Sequence, residues 1–494
     1  MQSFSLVRYS VLFLILSFFG EKVMAQSFDF SENCTKAYEH IIALKIDSGS
    51  YYLVQEEIDN PTNYIPVLLE NYIDFLEIYT SNSLATYEDK KANFEARLKK
   101  IKDGDEDSPY YLFSQAEIHL HSAVLHIKFG EYVKAVFDVR KALKKLKENQ
   151  NKFPDFLASK KSLGTLYAIL GAVPEQYQTG MAVFGLDGDV NEGMQMLQSL
   201  LDEDFVFQHE VATIYAFLQL HIENDEQAAW QTVQSYDFVA TESVMDAYSI
   251  GHIGIHGNHT DEGLTALTSR PTSSDYLSFP YLHFLVGLGK TYRQDADANR
   301  YFQSFLNQNV GEDYIKSAYH KMAWNELIKG NDAKYSEFLA KISTVGRDAL
   351  DTDKQAQREY ENGNTPNAIL LEARILTDGN YLTEAKKLLK SVTINDFSKK
   401  HEKTEYYYRL GRVYDKSGTI EMSKKYYQLT ISNGQNVAYY FAANSAYLLG
   451  YIYEQESDNV QAKKYYDLSL SLDGYEYENS IHLKAKSGLN RLGY

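Results

Sequence analysis

The chain has 494 residues, too long for one compact core and long enough for two or three domains or one extended array. It carries a net charge of −18, so a phosphate backbone repels it and nucleic acid is not an expected partner. A single cysteine rules out an internal disulfide, and only 8 prolines leave room for many long helices.

In chain order, residues 1–25 read as a secretory signal peptide. Arg8 supplies the positive start, Val11 to Phe19 form an apolar run too short to span a bilayer, and Val23-Met24-Ala25 places small residues ahead of Gln26. Cleavage there predicts an exported protein, periplasmic or associated with the cell envelope, with no membrane span left after processing. Cys34 is not preceded by a lipidation signal and is expected to be an idle thiol in a loose N-terminal segment, without a helix start to activate it.

From residue 26 onward the apolar spacing is helical. Phe28 to Ile46 and Ile65 to Ile78 carry it, separated by a turn at Asn60-Pro61-Thr62-Asn63. The acidic break Asp103 to Pro109 reads as a loop. Ala116 to Phe129 and Tyr132 to Leu146 form a helix pair around Gly130-Glu131. A second pair is expected in residues 159–201 around Ala172-Val173-Pro174, and two short helices around Trp230. Residues 244–272 fit the same frame with Gly251, Gly254 and Gly263 at positions where glycine costs helix stability, about 1 kcal/mol each. Pairs follow at 279–309, 313–344 and 366–392. Residues 479–491 read as a closing helix whose Lys484, Lys486 and Arg491 keep an outer face polar.

The clearest grammar lies at residues 404–472. Tyr407, Leu410, Gly411, Tyr414, Ser423 and Tyr427 repeat as Ala446, Leu449, Gly450, Tyr453, Ala462 and Tyr466. This is the tetratricopeptide (TPR) spacing of antiparallel helix pairs, and it predicts an all-α, TPR-like helix-turn-helix solenoid. The spacing from Gly411 to Gly450 exceeds one 34-residue repeat by five, so Ile431 to Tyr440 must hold a longer helix or turn. Much of the count of 41 Tyr is accounted for by large packing positions of such repeats. The organisation expected is a signal peptide at 1–25, a degenerate TPR-like helical region at 26–240, a middle helical-repeat region at 241–350 and C-terminal TPR repeats with a capping helix at 351–494.

No constellation supports catalysis. Gly287-Leu288-Gly289-Lys290-Thr291 lacks the first glycine of a phosphate loop and sits in a helical stretch, where no backbone N–H is free. His252, His256 and His259 have partial metal spacing but no supporting motif. Asp187, Asp189 and Asn191 begin like a calcium loop but lack its glycine and closing glutamate, so helix capping explains them. No cofactor and no metal site is expected.

The residues Phe129-Gly130-Glu131-Tyr132, Phe184 to Asp189, Tyr314 to Trp324 and Tyr475 to Ser480 resemble exported TPR proteins of Bacteroidota-type bacteria. More distantly, the Gly-Asp segment and the C-terminal ending are similar to the eukaryotic TPR family that includes an inclusion-body clearance protein. Neither resemblance implies catalytic residues. The eukaryotic resemblance implies an interaction role.

In a TPR helix pair, set positions of the first helix face a concave groove. Those positions hold Glu405, Tyr408, Arg412, Asp415 and Lys416 in one repeat and Asn444, Tyr447, Tyr451, Glu454 and Gln455 in the next, with Leu370 and Arg374 extending the row. Tyr and Arg are the residue types that anchor interfaces. The expected ligand-binding set is therefore Arg374, Tyr408, Arg412, Lys416, Asn444, Tyr447 and Tyr451, and the expected partner a peptide or protein. The mixture of acids and bases does not match a purely basic carboxylate clamp. The competing reading is an exported glycan- or nutrient-binding helical protein, which requires aromatic rings gathered on one exposed surface.

Overall fold

A computed structural model describes residues 27–434 and 437–494. The signal segment and Gln26 lie outside the described residues, as does the middle of the 431–440 insertion. The structure is all α-helical; among the described residues no strand forms beyond one isolated bridge between Ser27 and Asn63. The helices form two compact units. The first comprises residues 27–218 with 243–245 and 271–278, the second residues 219–242, 246–270 and 279–494.

The first unit runs through Glu32–Ile42 (α1), Ile46–Asp59 (α2), Ile65–Ser81 (α3), Leu84–Ile101 (α4), Pro109–Lys128 (α5), Tyr132–Lys152 (α6), Leu157–Gly171 (α7), Glu175–Val183 (α8), Val190–Gln198 (α9) and Gln208–Leu218 (α10). The first helical stretch is shorter than its apolar spacing predicts. Leu44 takes a left-handed backbone at φ 66°, which ends α1 and lets α2 fold back on it. Cys34 is not loose: it lies fully buried in the first turn of α1. A helix start lowers a thiol pKa, but burial outweighs it and pushes Cys34 up to about 12, so the thiol is inert. The pair expected around Ala172-Val173-Pro174 is also rearranged. That turn leads into α8, whereas α7 packs against α9, where Gly193 meets the backbone of Ala168 and Gly164 too closely for any side chain.

The second unit runs through a π-helical turn, Gln219–Glu223, then Glu226–Ser235 (α11), Val244–His256 (α12), Thr260–Ser269 (α13), Tyr281–Arg293 (α14), Ala298–Gln308 (α15), Ile315–Ile328 (α16) and Asp332–Lys341 (α17). It continues with Asp351–Asn362 (α18), Ala368–Asp378 (α19), Leu382–Lys390 (α20), Lys400–Lys416 (α21), Ile420–Gly434 (α22), Phe441–Gln455 (α23), Asn459–Ser471 (α24) and Glu478–Arg491 (α25). Successive helices pack in antiparallel pairs, giving the α-solenoid architecture. The glycines of α12 and α13 are close-packing devices: a Cβ on Gly254 would sit 2.9 Å from the Cα of Gly263. The propensity cost of those glycines is thus offset by two helix backbones meeting directly.

The two C-terminal pairs share one packing solution. Gly411 on α21 opens a notch filled by the ring of Tyr427, and Gly450 on α23 one filled by Tyr466. Both tyrosines are fully buried. Tyr427 donates its hydroxyl to Asp415 at 2.8 Å, and Tyr466 donates to Glu454 at the equivalent place. Tyr414 stacks on Tyr426 and Tyr453 on Tyr465, both with centroids 5.5 Å apart. An aromatic ring replaces a methylene layer here, and its hydroxyl satisfies a first-helix carboxylate.

Candidate functional site

The second unit has a cavity of about 470 Å³. Its walls come from α18, the segment 364–367 and the first helices of consecutive pairs, α19, α21, α23 and α25; among the described residues α20, α22 and α24 contribute nothing to it. This is the inner face of the C-terminal array. Arg374 on α19, Glu405 and Arg409 on α21 and Asn444 on α23 reach it from the helices, and Tyr440 and Tyr477 from the residues just before α23 and α25. Tyr477 sits at φ 66°, a left-handed conformation that turns the chain into α25. Its ring meets that of Tyr440 edge-on at 5.6 Å, and the Arg358 guanidinium lies 5.0 Å from it.

Charge in the groove is paired but not cancelled. The Arg409 guanidinium donates to Glu405 at 2.6 and 3.0 Å. Glu359 lies 2.8 Å from the ring of His320 and 3.7 Å from Arg374, which also lies 3.7 Å from Asp378. Burial opposes the charge on Glu359, but His320, Arg374 and Lys321 outweigh it and hold the carboxyl well below its usual range. Beneath them Trp324 lies between two cations, with Lys321 Nζ 3.5 Å and the Arg374 guanidinium 4.9 Å from its ring. Burial, then the charge of Arg374, lowers the Lys321 amine to about 7.

Of the residues expected from the repeat frame, Arg374 and Asn444 line this cavity. Tyr408 is buried, and its hydroxyl accepts a hydrogen bond from Asn444 Nδ2 at 2.7 Å, so it positions a groove residue from below. Arg412 lies one turn further along α21, largely buried; despite that burial, Tyr408, Tyr427 and Asp415 keep it firmly cationic. Lys416 donates to Asn258 Oδ1 at 2.8 Å and to the Thr377 carbonyl at 3.4 Å, and burial lowers its pKa. Tyr447 packs at a tilt on Tyr466, centroids 6.1 Å apart, and Tyr451 is exposed. The repeat frame brings two of its seven expected residues to this cavity. It missed Arg409, Tyr440, Tyr477 and Glu359 because the cavity opens at the N-terminal ends of the first helices, and a repeat pattern does not say which end opens. The unusual run Tyr475 to Ser480 was the available signal.

The three histidines singled out by spacing do not come together. His252 and His256 are adjacent, with centroids 4.5 Å apart, but His259 turns away to stack on Trp230 at 4.3 Å. Among the described residues no cluster of three or more His, Cys, Asp or Glu could hold a metal ion. Asp189 caps α9, accepting from the Glu192 N–H at 2.8 Å, and Gly287-Leu288-Gly289-Lys290-Thr291 lies inside α14.

Both equivalent notches fall in the matched segments: residues 404–432 and 443–475 match the tetratricopeptide repeat. These TPR matches cover α21 with most of α22, and then α23 with α24. TPR helix pairs present an inner groove for protein ligands and are generally non-catalytic scaffolds. The match lends no support to the resemblance to exported bacterial or inclusion-body clearance TPR proteins. No curated protein is matched by the chain.

Proposed function

We propose that this protein is an exported, non-catalytic interaction scaffold that captures a peptide or protein in the inner groove of its second unit. The observation that carries the reading is the cavity walled by α18, the segment 364–367 and the first helices of consecutive pairs, with Arg374, Asn444, Tyr440 and Tyr477 on its surface. Tyrosine and arginine supply large contact area and directional hydrogen bonds at low entropy cost. Glu359, Glu405 and Glu476 alternate with the arginines, so the groove selects a segment bearing both signs of charge.

The test is capture of peptides from an array by the mature chain and by an Asn444→Ala, Tyr477→Ala variant. Both side chains are at least partly exposed, so the fold survives their loss. Loss of about tenfold or more in affinity supports the groove, on the scale of an interface anchor. Unchanged capture rejects it. Export is tested separately, by the mass of the secreted chain, which should begin at Gln26.

A glycan-binding reading draws on one observation, the gathering of Tyr439, Tyr440 and Tyr477 at the cavity rim. It requires an oligosaccharide to bind the same cavity and to be lost in the same variant.

A further inference from the structure

The first unit carries a different groove on its outer side. Helices α4 and α6 are the second helices of consecutive pairs, and both pack on α5. Between them lies a cavity of about 510 Å³ lined by Lys99 and Lys102 from the end of α4 and by Lys141, Lys144 and Lys145 from α6. Two carboxylates, Glu95 and Glu148, share its walls. In a chain with a net charge of −18 this cavity gathers five lysines against two carboxylates.

The lysines are not neutralised from within. Lys141 shares Asp138 with the ring of His119, at 3.4 and 2.9 Å, and Lys145 spends its ammonium on the neutral side-chain oxygen of Gln115 at 2.8 Å. Lys99, Lys102 and Lys144 form no ion pair among the described residues. Burial lowers the pKa of Lys145, and the charges of Lys102, Lys144 and Lys141 lower it further. Like charges are therefore held together at a concave surface, where a counter-charge is stabilised more than on an open face.

A second cavity of about 660 Å³ continues from the first, sharing Glu95, Leu98, His119 and Lys141. Its lining is mixed: Lys91, Lys134, His126 and Asp138 stand beside Ala92, Leu98 and Phe137. Phe137 presents a half-exposed ring, while Tyr87 and Phe94 are buried and form the floor. Lysines crowd the first cavity, and the second offers Leu98 and Phe137 as apolar contacts among charged neighbours.

We propose that this outer groove is a second docking site, taking an acidic peptide segment with its carboxylates among Lys99, Lys102 and Lys144 and an apolar side chain against Leu98 and Phe137. Charge complementarity selects the occupant. A uniform polyanion such as polyphosphate or single-stranded nucleic acid meets Glu95 and Glu148 inside the groove. It also lacks a stacking platform, because two of the three rings are buried. Lysines act as point charges without the fixed fork that favours phosphate, and suit carboxylates at variable positions.

The experiment uses the mature full chain and a labelled peptide array in which adjacent Glu and Asp residues stand at each register from one Phe, read by fluorescence anisotropy. A Lys102→Glu, Lys144→Glu variant reverses two exposed, unpaired charges; Lys387→Glu, Lys390→Glu makes the same net change on exposed positions of the second unit. The expected result is binding in at least one register that requires both the carboxylates and the Phe. It weakens by about tenfold or more in the groove variant, severalfold in Phe137→Ala and not in the control. Far-UV circular dichroism stays unchanged throughout. The proposal is overturned if no acidic peptide exceeds its Gln/Asn counterpart, or if both charge variants bind alike. It is equally overturned if polyphosphate or an oligonucleotide binds the groove more tightly than every peptide.

Discussion

The first unit and the C-terminal repeats are built from the same antiparallel helix pairs but are locked by opposite chemistry. In the first unit the centre is ionic. Lys161 on α7 is buried and lies 2.9 Å from both Glu117 on α5 and Glu210 on α10. Tyr72 on α3 donates to Glu117 at 2.8 Å and Tyr38 on α1 donates to Glu210 at 2.7 Å, and the ammonium stands 4.8 Å from the ring of Phe207. In the C-terminal repeats the centre is a tyrosine ring in a glycine notch. The difference shows that a helix pair needs only a filled space and satisfied polar groups. An ionic centre ties five helices into one arrangement, whereas a notch ties two and can be repeated.

The largest break in this comparison is Lys161→Met. It leaves Glu117 and Glu210 without their cation in a dry interior, a loss of about 3–5 kcal/mol. Both tryptophans, Trp230 and Trp324, lie in the second unit. The far-UV signal should therefore gain an early urea transition that tryptophan fluorescence does not follow. A single coincident transition at the wild-type midpoint would refute the ionic lock.

Next in size is a pH effect of opposite sign in the two units. Asp353 is fully buried and accepts the Tyr314 and Ser317 backbone N–H groups, each at 2.8 Å. Burial raises it to about 6 against those bonds. A raised carboxyl favours folding below its unfolded value of 3.8, and that contribution is lost as pH rises through about 6, on the order of 3 kcal/mol. Asp353→Asn should therefore lose less stability than wild type between pH 4 and 7, read by tryptophan fluorescence. In the first unit, burial lowers His121 to about 4. A depressed imidazole favours folding above its unfolded value of 6.5, and that contribution is lost as pH falls toward 4. His121→Asn should flatten the acid limb of the far-UV transition, and parallel limbs would contradict the assignment.

A smaller effect is expected at the notch. A Cβ at Gly450 would lie 2.6 Å from the Tyr466 ring, so Gly450→Ala should cost roughly 1–3 kcal/mol of overpacking despite alanine's better helix propensity. Calorimetry of Gly450→Ala beside Gly411→Ala sharpens the comparison, because equivalent notches predict equal shifts. Smallest is Tyr427→Phe, which removes the bond to Asp415 and should cost about 1 kcal/mol.

A small part of the inner groove was legible from residue spacing. Arg374 and Asn444 follow from their places in the helix frame, and so does the burial of Leu410 and Leu449. Tyr408 occupies a groove-facing position by count, yet Phe441 from the next helix pair covers its ring at 5.2 Å. Which of two exposed faces a neighbour covers depends on the crossing of the pairs, and crossing is not written in one helix. The outer lysine groove was unreadable for the same reason. Lys144 and Lys145 look like cations favouring a helix end, and only the distance between α4 and α6 turns them into the wall of a cavity.

The sequence by itself determined the fold class and the helix pairs around Gly130 and at the C-terminal repeats, because periodicity, proline scarcity and left-handed glycines such as Gly130 act within a few residues of chain. It also determined the Gly411–Tyr427 and Gly450–Tyr466 notches, whose partners lie one turn-reversal apart. Tertiary structure alone decided the burial of Cys34, the ionic centre around Lys161 and both grooves. Their partners come from helices far apart in the chain, and desolvation, which fixes their charge and reactivity, exists only once those helices have met.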